Sequence, residues 1–125
     1  MLRFSADNYN ELNAFLQERY IHDGCFQHAT FSQTEKTFSV KVVNHIWNDS
    51  LCMTFVDVCQ FLSIADYKWS DDETINSFVA LDSNEKLHRV FGTNIRNDKL
   101  YFVWEMFSGN EIYIACSELK IEECE

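Results

Sequence analysis

Residues 99–117 constrain the fold of this chain more than any other stretch. From Lys99 to Phe107 the sequence alternates Leu100, Phe102, Trp104 and Met106 against Tyr101, Val103, Glu105 and Phe107. Ser108-Gly109-Asn110 interrupts the pattern, and residues 111–117 resume it with Ile112, Ile114 and Cys116 on one side. Two period-two runs joined by three residues containing Gly predict a β-hairpin. Leu119 and Ile121 continue the same pattern and predict an extension of the second strand.

The rest of the chain must turn without the usual residues. Pro is absent and Gly occurs three times, where average usage predicts about six and about nine. Asn and Asp take over, because they tolerate left-handed backbone and bond their own main chain. The candidate turns are Asn48-Asp49, Asp82-Ser83-Asn84 and Asn97-Asp98, each between apolar runs. No linker composition or repeat divides the 125 residues, so residues 1–125 read as one domain. A chain of this length buries roughly two-thirds of its unfolded surface. With 46% apolar residues and 15% aromatics, the core needs neither a disulfide nor a metal.

An amphipathic helix is expected over about 6–20. Ser5 is its N-cap, Phe4 and Tyr9 form a hydrophobic staple, and Asp7 suits the positive end. Tyr9, Leu12, Leu16 and Tyr20 make one stripe with Phe15 beside it, and Gly24 helps the chain leave. Strands follow at 25–32 and 37–46 across Gln33-Thr34-Glu35-Lys36, with Phe38, Val40 and Val42 on one face. A strand at 51–58 carries Met53 and Phe55 against Val56 and Val58, the mark of a central strand covered on both sides.

Residues 60–96 fit two readings. Ser70-x-x-Glu73 matches a capping box, and Ile75, Phe78 and Val79 have helical spacing. Residues 74–81 are also rich in β-branched and aromatic side chains, and strand is assigned there; Leu87, Val90 and Phe91 raise the same choice. The expected class is α+β: an N-terminal helix packed on a curved, mainly antiparallel sheet of about six strands.

Ten basic against twenty acidic residues give a formal charge of −10. Phosphate binding relies on Lys and Arg, so nucleic acid is a poor partner, and anionic membranes are disfavoured likewise. A basic protein is a permitted one, with long-range attraction speeding the encounter. The cysteines are Cys25, Cys52, Cys59, Cys116 and Cys124, without a C-x-x-C pair and odd in number. Met1-Leu-Arg-Phe-Ser-Ala-Asp lacks the apolar stretch of a signal peptide, and no run reaches the ~20 apolar residues of a membrane helix. The expectation is a reducing cytoplasm with buried free thiols.

Chemistry finds little to hold. His22-Asp23 is a doublet that metal-dependent phosphohydrolases use, but His28, His45 and His88 show no spacing that forces convergence, so a structural role is expected. Cysteine catalysis needs a thiolate activated by a nearby base or helix N-terminus, but all cysteines except Cys124 lie in apolar strand-like runs and read as buried small hydrophobes. Cys52 and Cys59, seven apart, would point to opposite faces of one strand. Asp66, Asp71, Asp72 and Glu73 read as a solvated loop or helix start. Phosphate-loop and G-x-S-x-G patterns are missing from the sequence. No catalytic residue, metal ligand or cofactor is assigned.

Trp69 beside Ser70-Asp71-Asp72-Glu73 is the one large aromatic next to an acidic run, and charge-ringed Trp anchors are typical of protein interfaces. Trp69, Asp71, Asp72 and Glu73 are therefore the candidate partner-binding residues. The competing role for Trp69 is core packing beside a capping box. Sugar stacking on Trp47, Trp69 or Trp104 is a further option, with Trp104 more simply core.

Three phrases carry a resemblance: Ile21-His22-Asp23-Gly24-Cys25-Phe26, Met53-Thr54-Phe55-Val56-Asp57-Val58, and Phe107-Ser108-Gly109-Asn110-Glu111-Ile112-Tyr113-Ile114-Ala115-Cys116 leading into Leu119-Lys120-Ile121-Glu122-Glu123. In these the chain resembles small uncharacterised bacterial domains, some of them assigned as immunity proteins of polymorphic toxin systems. The resemblance implies one helix against an antiparallel sheet and carries over no functional residue. Together with the charge it favours a non-catalytic domain that binds a basic protein. The alternatives are a small-molecule binder or enzyme with an aromatic-lined pocket in a curved sheet, and a self-associating domain.

Overall fold

Period-two patterning becomes strand almost throughout the computed structural model, which describes residues 1–19, 21–45, 48–81, 85–92 and 95–124. Nine strands lie among the described residues: β1 (Leu2–Ser5), β2 (Cys25–Ser32), β3 (Thr37–Asn44), β4 (Asp49–Val56), β5 (Gln60–Ile64), β6 (Asp72–Leu81), β7 (Leu100–Met106), β8 (Glu111–Cys116) and β9 (Glu118–Glu123). They form one sheet in the order β1-β9-β4-β3-β2-β6-β7-β8-β5, antiparallel at every pairing. Two short helices accompany it, α1 (Tyr9–Glu18) and α2 (Glu85–Phe91). This corrects the α+β expectation of a helix on a curved, six-stranded sheet. The architecture is mainly β, and the sheet remains open, with β1 and β5 as its edges.

Aromatic contacts fix how the sheet is arranged. Neighbouring strands about 4.8 Å apart would hold β4 and β7 roughly 19 Å apart in a flat sheet. Phe55 of β4 nevertheless meets Phe102 of β7 at 5.1 Å between ring centroids, and Trp104 at 6.3 Å. The half β1-β9-β4-β3-β2 therefore faces the half β6-β7-β8-β5 across a shared core. β6 belongs to both: residues 72–74 pair with β2, while residues 75–81 pair with β7 past an irregularity between Ile75 and Ser77. A strand that changes sheets at a bulge is a recognised way to turn such a corner.

The 99–117 hairpin lies at the centre of the second half. Its inner residues Phe102, Trp104, Ile112 and Ile114 join Phe26, Phe38, Phe55 and Phe78 in the main core. Its outer residues Tyr101, Val103, Tyr113 and Ala115 are covered by Leu87 and Phe91 of α2. Double coverage belongs to this hairpin, then, and not to β4. There Leu51, Met53 and Phe55 are buried while Cys52, Thr54 and Val56 are only partly so.

The N-terminal helix is shorter than its pattern. Ser5 caps a 3-10 turn at Ala6–Asn8, with Ser5 N donating to Asn8 Oδ1 at 2.6 Å, and α1 begins only at Tyr9. Phe4 packs on Phe15 (5.7 Å), and the Tyr9 hydroxyl donates to the Ala80 carbonyl of β6 at 3.1 Å. Arg19 has already turned to extended backbone, and its guanidinium pairs with Asp49 at the start of β4. Expectations for Tyr20, Ile46, Trp47 and Asp82-Ser83-Asn84 fall outside the described residues. Residues 74–81 are strand as assigned, and Leu87, Val90 and Phe91 resolve to helix. No helix among the described residues is long and apolar enough to cross a membrane.

The chain crosses between the two halves at Asp57, after β4, and at Ser117, after β8. Asp57 takes φ 56°, and its Oδ2 accepts from Ser117 Oγ (2.6 Å) and Lys99 Nζ (3.3 Å). These bonds, the Ser117 hydroxyl first and then Lys99, hold the Asp57 carboxyl below its ordinary value. A lowered folded-state pKa contributes stability above the unfolded value of about 3.9 and loses it as pH falls through the folded one. Asp57→Asn keeps a residue that tolerates positive φ and removes that charge. The wild type is expected to exceed it in urea midpoint at pH 7, and the gap should narrow as pH falls below about 3.9. A gap unchanged across that range would show that the carboxylate is not its source.

The cysteine expectation is also corrected. Cys52 and Cys124 form a disulfide, Cα–Cα 5.6 Å, leaving Cys25, Cys59 and Cys116 free. Of these only Cys116 is buried; Cys59 is exposed. Geometry explains the pairing. Leu51↔Glu123 and Cys52↔Glu122 continue to Cys124 N donating to Ser50 O (3.1 Å), which places the two cysteines on one face of the β4–β9 ladder, diagonally across the Leu51↔Glu123 rung.

Candidate functional site

β2 leaves β6 after a single short stretch of pairing, and the gap it opens is the site. Gln27 pairs with Asp72, and beyond it the two strands diverge. The register of β2 on β3 shifts between Gln27 and Thr30, inserting one residue, and His28 lies there at φ 54°. Positive φ is uncommon for a residue with a β-carbon, and bulges re-aim side chains. Phe26 and Phe31, which an unbroken strand would turn to opposite faces, consequently both line one groove.

That groove has a volume of about 570 Å³. Its floor is buried Phe26, Phe38 and Ile112; half-buried Phe61 and Trp69 form walls; His28, Ala29, Phe31, Ser63, Ser70 and Asp71 make an exposed rim. Phe31 of β2 stacks on Phe61 of β5 at 4.7 Å and 9°, closing one end. It is still 43% exposed, so the groove is open to solvent. Among the described residues its titratable lining groups are His28 and Asp71, with neither Lys nor Arg.

The segment 65–71 that carries Trp69 and Asp71 is tied down by two buried polar residues. Asn110 Oδ1 accepts from both Asp66 N and Tyr67 N at 2.8 Å. Glu73, 6% exposed, accepts from Ser70 N through Oε2 (2.9 Å) and from Ser108 Oγ through Oε1 (2.7 Å). Gly109, at φ 95°, lets the β7–β8 turn approach this segment, since a β-carbon there would lie 2.8 Å from Asp66 Oδ2.

The four candidate residues therefore divide. Trp69 and Asp71 line the groove, and Trp69 also packs on the core. Asp72 is exposed but does not line it, and its carboxyl lies beside the Cys25 thiol. Glu73 points inward and positions the rim; it offers no surface to a partner. Ser70-x-x-Glu73 makes the Glu-to-backbone bond of a capping box without any helix, because β6 begins at Asp72. Phe31, Phe61, His28 and Asn110 complete the site and were not singled out from the sequence. The parity break between Phe26 and Phe31 is the signal for the bulge.

The remaining candidates lie elsewhere. His22 Nδ1 contacts the Asn76 carbonyl and its Nε2 lies 3.4 Å from Asp23 Oδ1, at the junction leading into β2. Trp104 is fully buried. Burial, then the hydrogen bond and charge of Asp72, pushes the Cys25 thiol up, and burial pushes Cys116 to about 12. Both shifts disfavour the nucleophilic thiolate. Among the described residues no group of three His, Cys, Asp or Glu side chains is placed to hold a metal ion.

No protein-family model and no curated protein matches this chain. A solved structure of an uncharacterized protein from Neisseria gonorrhoeae superposes with a TM-score of 0.46 at 10% identity, over 81% of this chain and 91% of that one.

Proposed function

We propose that this chain is a non-catalytic binding domain of the immunity-protein kind, docking a basic protein at the rim of the groove. The observation that carries the reading is an open aromatic groove with Asp71 on its rim and no Lys or Arg among its described lining residues, on a chain of charge −10. Trp69 is the anchor, Asp71 and Asp72 steer the approach, and Glu73 holds the segment that bears them. The openness favours a partner's surface over an enclosed small molecule, for which the aromatic lining would otherwise serve.

Its setting in this reading is the bacterial cytoplasm, in keeping with three free thiols. There the Cys52–Cys124 pair would be held mainly reduced. The test is association kinetics of the immobilised domain with a basic protein captured from its native cell. Raising salt and Asp71→Lys should each slow association, whereas Trp69→Ala should hasten dissociation. Association indifferent to both salt and Asp71→Lys would overturn the reading.

A further inference from the structure

Edge strands usually carry protection. β1 is four residues long and bears Arg3, which reaches towards Glu118 on its neighbour. The opposite edge, β5, is Gln-Phe-Leu-Ser-Ile: no charge, no Pro, no Gly, and no irregularity in its register on β8. Among the described residues it pairs on one side only. Its outer backbone groups are a template for another strand, a liability that charge, Pro or a bulge ordinarily removes. Leu62 and Ile64 are 46% and 44% exposed on one face, while Phe61 and Ser63 line the groove on the other.

Charge identifies the kind of strand that fits. Ile64 is in register with Glu111 of β8, and Glu111 with Glu105 of β7. Two carboxylates directly opposite on neighbouring strands repel. A Lys or Arg arriving beside Ile64 would stand two strand spacings, about 10 Å, from Glu111 and three from Glu105. Asp71 on the groove rim marks the other face of β5 as acidic too. A second copy of this chain would instead bring another −10 to the same edge.

We infer that the free edge of β5 accepts an extended strand from the basic partner, adding it as a tenth strand. Its inner side chains enter the groove beside Phe61, and its outer ones cover Leu62 and Ile64. Main-chain hydrogen bonds supply affinity and alternate side chains supply selectivity in this mode. The inference rests on the basic-partner reading and specifies how that partner is held.

The probe is the synthetic peptide acetyl-Lys-Val-Lys-Phe-Lys-Val-Lys-amide, with two controls: the same peptide N-methylated at Phe and at the Lys that follows it, so that one methyl group faces each edge, and one with Glu for Lys. The Lys peptide should bind in low salt and slow amide exchange within residues 60–64 by about tenfold or more. N-methylation should weaken binding about tenfold or more by deleting the ladder. Leu62→Lys with Ile64→Lys should weaken it while leaving the melting midpoint near the wild type, both sites being exposed.

Failure of the Lys peptide to bind, or equal binding of the Glu peptide, overturns the basic-partner reading and this inference with it. Binding that ignores N-methylation and leaves 60–64 unprotected overturns the inference alone. A concentration-dependent dimer abolished by the double Lys variant would make a second copy the occupant, and would overturn it as well.

Discussion

Phe55→Ala is expected to lower the unfolding free energy by about 3–5 kcal/mol. Phe55 is 0% exposed and is the point where the two halves of the sheet meet. Its ring touches Phe38 of β3 at 5.8 Å, Phe78 of β6 at 6.0 Å, and Phe102 of β7 at 5.1 Å. Truncation removes the apolar transfer free energy and leaves a cavity walled by rigid rings on strands that cannot close in. Domains of this size have about 5–15 kcal/mol in total, so the variant should retain a small part of it. The urea midpoint should fall with the slope unchanged. Phe107→Ala is the control: Phe107 is 57% exposed, and the cost there should stay within about 0.5 kcal/mol. Equal effects at the two positions would mean that the halves do not share one core.

Reducing the Cys52–Cys124 bond should cost a similar amount for a different reason. The cysteines are 72 residues apart, and a closed loop of that length removes about 4 kcal/mol of denatured-state entropy. Most of this acts on the unfolded chain, because β9 keeps its ladder on β4 from Leu51↔Glu123 to Val56↔Glu118 with or without the bond. The melting midpoint should therefore drop in reductant while the folded sheet persists. Cys52→Ala with Cys124→Ala should melt at the lower temperature and ignore reductant. A wild type whose midpoint stays put after reduction is verified by mass would contradict the assignment.

What the sequence made legible follows from where period and neighbourhood agree. The 99–117 hairpin was readable because apolar alternation, a Gly-containing turn and coverage of both faces all concur. β5 and β1 were not, since four or five residues give too short a run to separate from loop. β9 was read as the tail of β8: Leu119 and Ile121 keep the period, and only the crossing at Ser117 assigns them to the other half of the sheet. The helix was overextended because Tyr9, Leu12 and Leu16 set a stripe that continues to Tyr20, whereas the backbone is already extended at Arg19.

The site was half legible. Trp69 and Asp71 stood out by composition and do line the groove. Glu73 belonged to the same run, but strand alternation buries it between exposed Asp72 and Thr74. Cys52 and Cys124 could not be paired from a sequence in which they are so far apart; only strand register brings them together.

The position of β9 has a consequence for how the protein is made. β9 lies between β1 and β4, and among the described residues β1 has β9 as its only strand partner. Among the described strands, synthesis delivers Leu2–Ser5 before the others and Glu118–Glu123 after them. β1 must wait for β9, the last of these strands, before it has a strand to pair with, although the meander β6-β7-β8 can form beforehand from local contacts. Closure of so distant a pair is slow relative to hairpins. During that wait β4 presents an unpaired flank, Asp49–Val56, which is the stretch of the growing chain most in need of a chaperone's cover.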